Sequence, residues 1–182
     1  MGPPSNIFLV GFMGSGKTST GKELSRILDF HFWDMDSWIE EKNGKKIPEI
    51  FEKYGESFFR NEEEDAIKWF KGKRNYVVST GGGAWINKGI RENLLSEGRC
   101  IWLKVSPEVM WKRISSHMGN RPLLMQSKHP FPYLKKLLKE RTPIYALAQN
   151  SIETDEKSPK EVALEIIEIL KNDKLFDLPP RS

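Results

Sequence analysis

Short apolar runs alternate along this chain with stretches whose apolar residues recur every three or four positions. Ile7-Phe8-Leu9-Val10, Tyr76-Val77-Val78-Ser79 and Cys100 to Val105 are compact runs of strand-forming residues. Phe30 to Asp36 is another, ending in two acids, and Ser151-Ile152-Glu153-Thr154 is a weaker fifth. Runs of this length read as strands of a parallel sheet buried on both faces. Between them the period lengthens. A helix is expected from Lys17, with Leu24, Ile27 and Leu28 on one face, and another over Ser37 to Lys42, stopped by Asn43-Gly44. Lys46 to Phe70 carries the stripe Ile47, Ile50, Phe51 and Tyr54, with a break expected at Gly55. Further helices are predicted over 87–97, from Pro107 with Val109, Met110 and Ile114, over about 132–148, and from Ser158-Pro159 to about Leu170. Strand and helix in repeated alternation predict an α/β fold, its parallel sheet covered on both faces.

In such sheets ligands bind at the carboxyl ends of the strands, and the candidate chemistry gathers there. Directly after the first strand stands Gly11-Phe12-Met13-Gly14-Ser15-Gly16-Lys17-Thr18, a full match to G-x-x-x-x-G-K-[ST]. Gly14 and Gly16 allow backbone to approach a phosphate, and its N–H groups then act as anion donors. Lys17 brings a point charge to the outer phosphates, and Thr18 a hydroxyl to Mg²⁺. Strand, glycine loop and helix place an anion at a helix N-terminus.

The second strand ends at Asp34-Met35-Asp36, and Asp36 is expected to cap the following helix. Arg60 precedes the acidic run Glu62-Glu63-Glu64-Asp65, most of which reads as a solvated helix face. The third strand runs into Thr80-Gly81-Gly82-Gly83, which suggests a ligand lying against bare backbone. A polar stretch of about 115–130, containing Arg121, has little periodicity, and a loop of that length in a compact domain is usually functional or disordered.

Composition narrows the function classes. The 182 residues suffice for one domain with a sizeable core, without repeat or linker: a single unit over 1–172 and a patternless tail over 173–182. The net charge of +4 suits phosphorylated ligands, and the aromatic residues show none of the basic interleaving of a nucleic-acid surface. Cys100 is the only cysteine, so no intramolecular disulfide forms and a reducing compartment is expected. No stretch has the length of a membrane span, and the N-terminus lacks the pattern of a signal peptide. The expectation is a cytoplasmic protein with neither nucleic-acid nor membrane partner.

The ordered set of motifs resembles the shikimate kinases. It comprises the glycine loop, Asp34-Met35-Asp36, Phe59-Arg60-Asn61-Glu62-Glu63, Gly81-Gly82-Gly83, Arg121-Pro122-Leu123-Leu124 and Arg141-Thr142-Pro143-Ile144-Tyr145. The resemblance implies a P-loop three-layer sandwich of the nucleoside-monophosphate-kinase type, with a five-stranded sheet in the order 2-3-1-4-5 and a mobile lid. It also implies transfer of the ATP γ-phosphoryl group to the 3-hydroxyl of shikimate, in aromatic amino-acid biosynthesis, by a monomer. Gly14, Ser15, Gly16, Lys17, Thr18, Ser19, Arg121 and Lys157 would bind ATP. Thr18 and, through water, Asp34 would hold Mg²⁺; Asp36 would take a hydrogen bond from the attacking hydroxyl. Arg60 and Arg141 would clamp the carboxylate beside Gly81, Gly82 and Gly83, with Glu63 orienting Arg60. Lys17, Asp36 and the lid arginine, Arg121, would be catalytic. Many phosphate-loop enzymes end a later strand in an acid for Mg²⁺; here the third strand ends in Ser79, so Asp34 must substitute. The rival readings are a gluconate- or nucleotide-type kinase of the same fold and a non-catalytic nucleotide-binding module.

Overall fold

The computed structural model describes residues 6–115 and 127–173. Strands β1 (Asn6–Val10), β2 (His31–Asp34), β3 (Tyr76–Ser79), β4 (Gly98–Lys104) and β5 (Asn150–Glu153) form one parallel sheet. Its order is β2-β3-β1-β4-β5. The helices are α1 (Lys17–Leu28), α2 (Met35–Asn43), α3 (Ile47–Phe70), α4 (Lys88–Glu97), α5 (Pro107–Ile114), α6 (Pro130–Tyr145) and α7 (Pro159–Lys171).

The three layers follow from the two-residue period of the strands. Ile7 and Leu9 of β1 point to the face covered by α1 and α7, where they pack with Leu24, Val162 and Ile166. Phe8 and Val10 point to the opposite face, into a larger core with Met35, Ile50, Phe59, Leu94, Met110 and Leu138. All five residues of β1 are buried, as its central place in the sheet requires. The tryptophans serve this packing: Trp33, Trp38 and Trp69 cluster over the edge strand β2.

Local chemistry sets the helix starts. Ser158 and Glu161 form a capping box on α7, Ser106 caps α5 ahead of Pro107, and the Asn87 side chain caps α4. Gly55 sits inside α3 with φ 80° and ψ 175°, the break expected from the sequence.

Two local expectations change. Asp34, not Asp36, caps α2: its Oδ1 accepts from Ser37 N at 3.1 Å, while Asp36 lies in the first helical turn. The strand therefore ends two residues earlier than its acidic pair suggests. The acidic run of α3 is also less solvated than expected. Glu62 and Glu63 are buried, and Glu62 accepts from Lys42 and Asn43 at 3.1 and 2.9 Å. The kink at Gly55 accompanies an α3 packed against both α2 and α4, so that face of the run meets protein rather than water.

Candidate active site

Parallel register brings the candidate residues to one edge. Asp34 at the end of β2 lies opposite Ser79 at the end of β3, and Ser79 lies opposite Leu9 of β1. The glycine loop leaves β1 at that edge and enters α1 through Gly16, at φ 89°, a left-handed conformation that favours glycine. No side chain caps α1, so its first N–H groups face the loop as donors for an anion. Lys17 is buried, and its Nζ donates to the carbonyls of Gly11 and Phe12 at 2.9 and 3.0 Å. It thus lies folded along the loop.

Thr18 joins the loop to the ends of β2 and β3. Its hydroxyl donates to Asp34 Oδ2 at 2.9 Å and lies 3.2 Å from Ser79 Oγ. Two hydroxyls and a carboxylate are hard oxygen donors. They suit Mg²⁺, which keeps several waters and takes few protein ligands. Among the described residues, no group of three or more His, Cys, Asp or Glu gathers in the manner of an all-protein metal cage.

The second half of the site surrounds the triple glycine. A Cβ on Gly81 would stand 2.8 Å from both Asp36 Oδ1 and Glu63 Oε1, and one on Gly83 would stand 2.5 Å from an Arg60 nitrogen. A side chain at Gly81 or Gly83 would displace the polar groups of α2 and α3 that lie against this backbone. Arg60 donates to Glu63 Oε2 at 2.7 Å and to Glu56. Burial pushes Glu63 up to about 7, aided by nearby Asp36 and opposed by Arg60 and Arg141. From α6, the Arg141 guanidinium sits 5.5 Å from the Phe12 ring of the glycine loop. Arg60, Arg141 and Asp36, distant in sequence, therefore all act on one buried carboxylate.

On the opposite side of the loop lies an open pocket of about 310 Å³, lined by Gly16, Ser19, Arg113, Lys157 and Pro159 among others. Lys157 is ion-paired with Glu165. Arg121 and most of the expected lid lie outside the described residues.

A family model described as shikimate kinase matches residues 13–171. The chain belongs to the shikimate kinase family. It is 43% identical over 162 residues to the shikimate kinase of Thermodesulfovibrio yellowstonii, covering 89% of this chain and 92% of that one. It is 44% identical over 169 residues to the enzyme of Moorella thermoacetica, with 92% and 95% covered. The shikimate kinase of Acinetobacter baumannii, solved in complex with shikimate, superposes with a TM-score of 0.89 at 38% identity, covering 94% and 96% of the two chains.

Three residues gain a place at the site only in the structure. Ser79 was noted only as a missing acid, yet its hydroxyl faces Thr18; the P-loop match followed by a strand ending in serine was the available signal. Arg113 donates to Gly14 O at 3.1 Å and to Thr154 O at 2.7 Å, tying the glycine loop to the β5–α7 connection. Nothing local to the α5 sequence separates it from an ordinary helix-end cation. Tyr145 donates to Gly82 O at 2.5 Å from inside the core.

Proposed function

We infer that this chain is an ATP-dependent shikimate kinase, forming shikimate 3-phosphate and ADP in the shikimate pathway. The observation that carries the reading is the meeting of Arg60, Arg141 and Asp36 around Gly81–Gly83, beside a complete phosphate loop. This set of groups suits a small polyol that bears a carboxylate.

The residue roles are ours. The loop N–H groups and Lys17 bind the ATP phosphates, and Lys17 exchanges its two loop carbonyls for phosphate oxygens. Thr18 and Asp34, with Ser79 beside them, would hold Mg²⁺, which supplies charge neutralisation across the transferring phosphate. Arg60 and Arg141 take the carboxylate, since a guanidinium fork matches it bidentately. Asp36 accepts a hydrogen bond from the 3-hydroxyl and orients it toward the γ-phosphorus. Backbone of Gly81, Gly82 and Gly83 meets the ring. Gly14, Gly16, Ser15, Ser19 and Lys157 complete the nucleotide side, and Arg121 is proposed to close over ATP. Catalysis is then positioning plus charge stabilisation.

We further propose one kinase domain over 1–172, acting as a cytoplasmic monomer. Among the described residues no helix is long and apolar enough to cross a membrane.

An ADP-release assay tests the reading. With shikimate, release is expected to be fast and strictly Mg²⁺-dependent; gluconate and nucleoside monophosphates are expected to give background. Equal turnover with gluconate would replace shikimate as the acceptor, and no acceptor-dependent release would leave a nucleotide-binding module.

A further inference from the structure

The last turn of α6 carries Arg141 and, four residues on, Tyr145, so the two side chains share one face of the helix. The Tyr145 ring is fully buried and stacks on Trp102 with centroids 6.0 Å apart. Its hydroxyl donates to the Gly82 carbonyl at 2.5 Å. Burial pushes Tyr145 up to about 12, and the charge of nearby Arg141 pulls the other way. The same guanidinium rests against the Phe12 ring. One residue earlier, Ile144 O accepts from the buried Trp85 Nε1 at 2.8 Å, so the end of α6 is latched twice to the stretch from Gly82 to Trp85.

Packing alone would be served by phenylalanine. A buried phenol is tolerated where its O–H finds a partner. Here the partner is the carbonyl of a substrate-facing glycine, and the neighbour is a substrate-facing arginine. We propose that Tyr145 is a positioning residue for shikimate recognition, its hydroxyl holding the Gly82 backbone and the Arg141 guanidinium in one fixed relation. An arginine makes its two parallel bonds to a carboxylate only in one plane. Phe12 sets that plane from the glycine loop, and Tyr145 sets its direction from α6. Ordering is then complete before substrate arrives, which strengthens binding without adding a contact. This rests on reading Arg141 as a carboxylate ligand.

The test is a kinetic cycle over Tyr145→Phe, Arg141→Ala and the double variant, each read for shikimate KM, ATP KM, kcat and melting temperature. Tyr145→Phe keeps the ring and its stack. It is expected to raise shikimate KM about tenfold, with kcat and ATP KM within about twofold. It is also expected to lose part of the parent's preference for shikimate over its carboxamide. In the Arg141→Ala background the same change is expected to leave shikimate KM within about twofold, because the group it aims is gone. A Tyr145 that serves stability alone would lower the melting temperature and leave the KM split and the acid-over-amide preference unmoved, which would overturn the proposal. An equal rise in KM in both backgrounds would overturn it too. If Arg141→Ala itself keeps the parent's shikimate KM and discrimination, the carboxylate reading fails first. Phe12→Leu reaches the guanidinium from its other side and serves as the second variant. A smaller rise in shikimate KM, absent without Arg141, is expected, and a rise that persists without Arg141 counts against the arrangement.

Discussion

The two ends of the catalytic edge are built in opposite ways. The nucleotide end is mostly one contiguous segment, Gly11 to Ser19, whose donors are backbone groups set by a turn and a helix start. The proposed acceptor end has no contiguous segment. Asp36 comes from α2, Arg60 and Glu63 from α3, the glycines from the end of β3, and Arg141 and Tyr145 from α6. A phosphate is the same anion in every nucleotide, and backbone N–H groups at a helix start serve any of them. A particular polyol acid needs hydroxyl and carboxylate partners at set separations, which only distant elements brought together can supply. The nucleotide end is local and general; the acceptor end is assembled, specific and held by buried charge.

The strongest challenge to that contrast is Lys17→Ala. It removes charge where the transferring phosphoryl group develops it, and turnover is expected to fall on the order of a thousandfold, while shikimate binding measured by calorimetry without nucleotide stays near the parent. Weakened shikimate binding in that experiment would mean that the two ends are one unit.

Arg60→Ala makes the reciprocal test. Truncating one member of a buried charge pair costs about 2–5 kcal/mol, so shikimate kcat/KM is expected to drop roughly 30-fold to several thousandfold at about tenfold per 1.4 kcal/mol. ATP KM is expected to hold. Should the parent phosphorylate shikimate and its neutral amide equally well, the arginine clamp is wrong.

Gly83→Ala sharpens the contrast from the backbone side. Its Cβ would fall 2.5 Å from an Arg60 nitrogen, so the guanidinium must turn away from Glu63 or the loop must move. Shikimate KM is expected to rise about tenfold, the worth of ~1.4 kcal/mol, with ATP KM unchanged; an unmoved shikimate KM would show that the clamp has slack.

The smallest effect concerns pH. With Glu63 raised to about 7 in the fold against 4.5 in the open chain, the unfolded state gives up that proton first as pH rises. Glu63 therefore lowers stability progressively between about pH 4.5 and 7, and no further above that window. Relative to Glu63→Gln, the parent's melting temperature is expected to decline by several degrees from pH 5 to pH 7.5. A difference between the two proteins that does not vary with pH would mean that Arg60 holds Glu63 at an ordinary carboxylate value.

The contrast also explains what could be read without coordinates. β1, the glycine loop and α1 were legible because period, turn residues and helix start lie within one short stretch. The strands and helices that follow were legible for the same reason, each carrying its own periodicity and several helices their own cap. Asp34 and Asp36 were found as a pair, but their capping roles were exchanged, because where β2 ends is decided by its register with β3. Glu62 read as solvated because nothing in α3 alone reveals that Lys42 and Asn43 of α2 lie against it. Arg113 and Tyr145 look ordinary in their helices, and their partners, Gly14 O and Gly82 O, lie 99 and 63 residues away.

By itself, then, the sequence determined the elements and the phosphate-binding end, since dihedral preferences, capping and hydrophobic period act over a few residues. Tertiary structure decided which acid caps α2, that Ser79 joins Thr18 and Asp34, and that two remote arginines answer to one buried glutamate. Those outcomes depend on strand register and on desolvation, and both exist only once distant segments have packed and water has left between them.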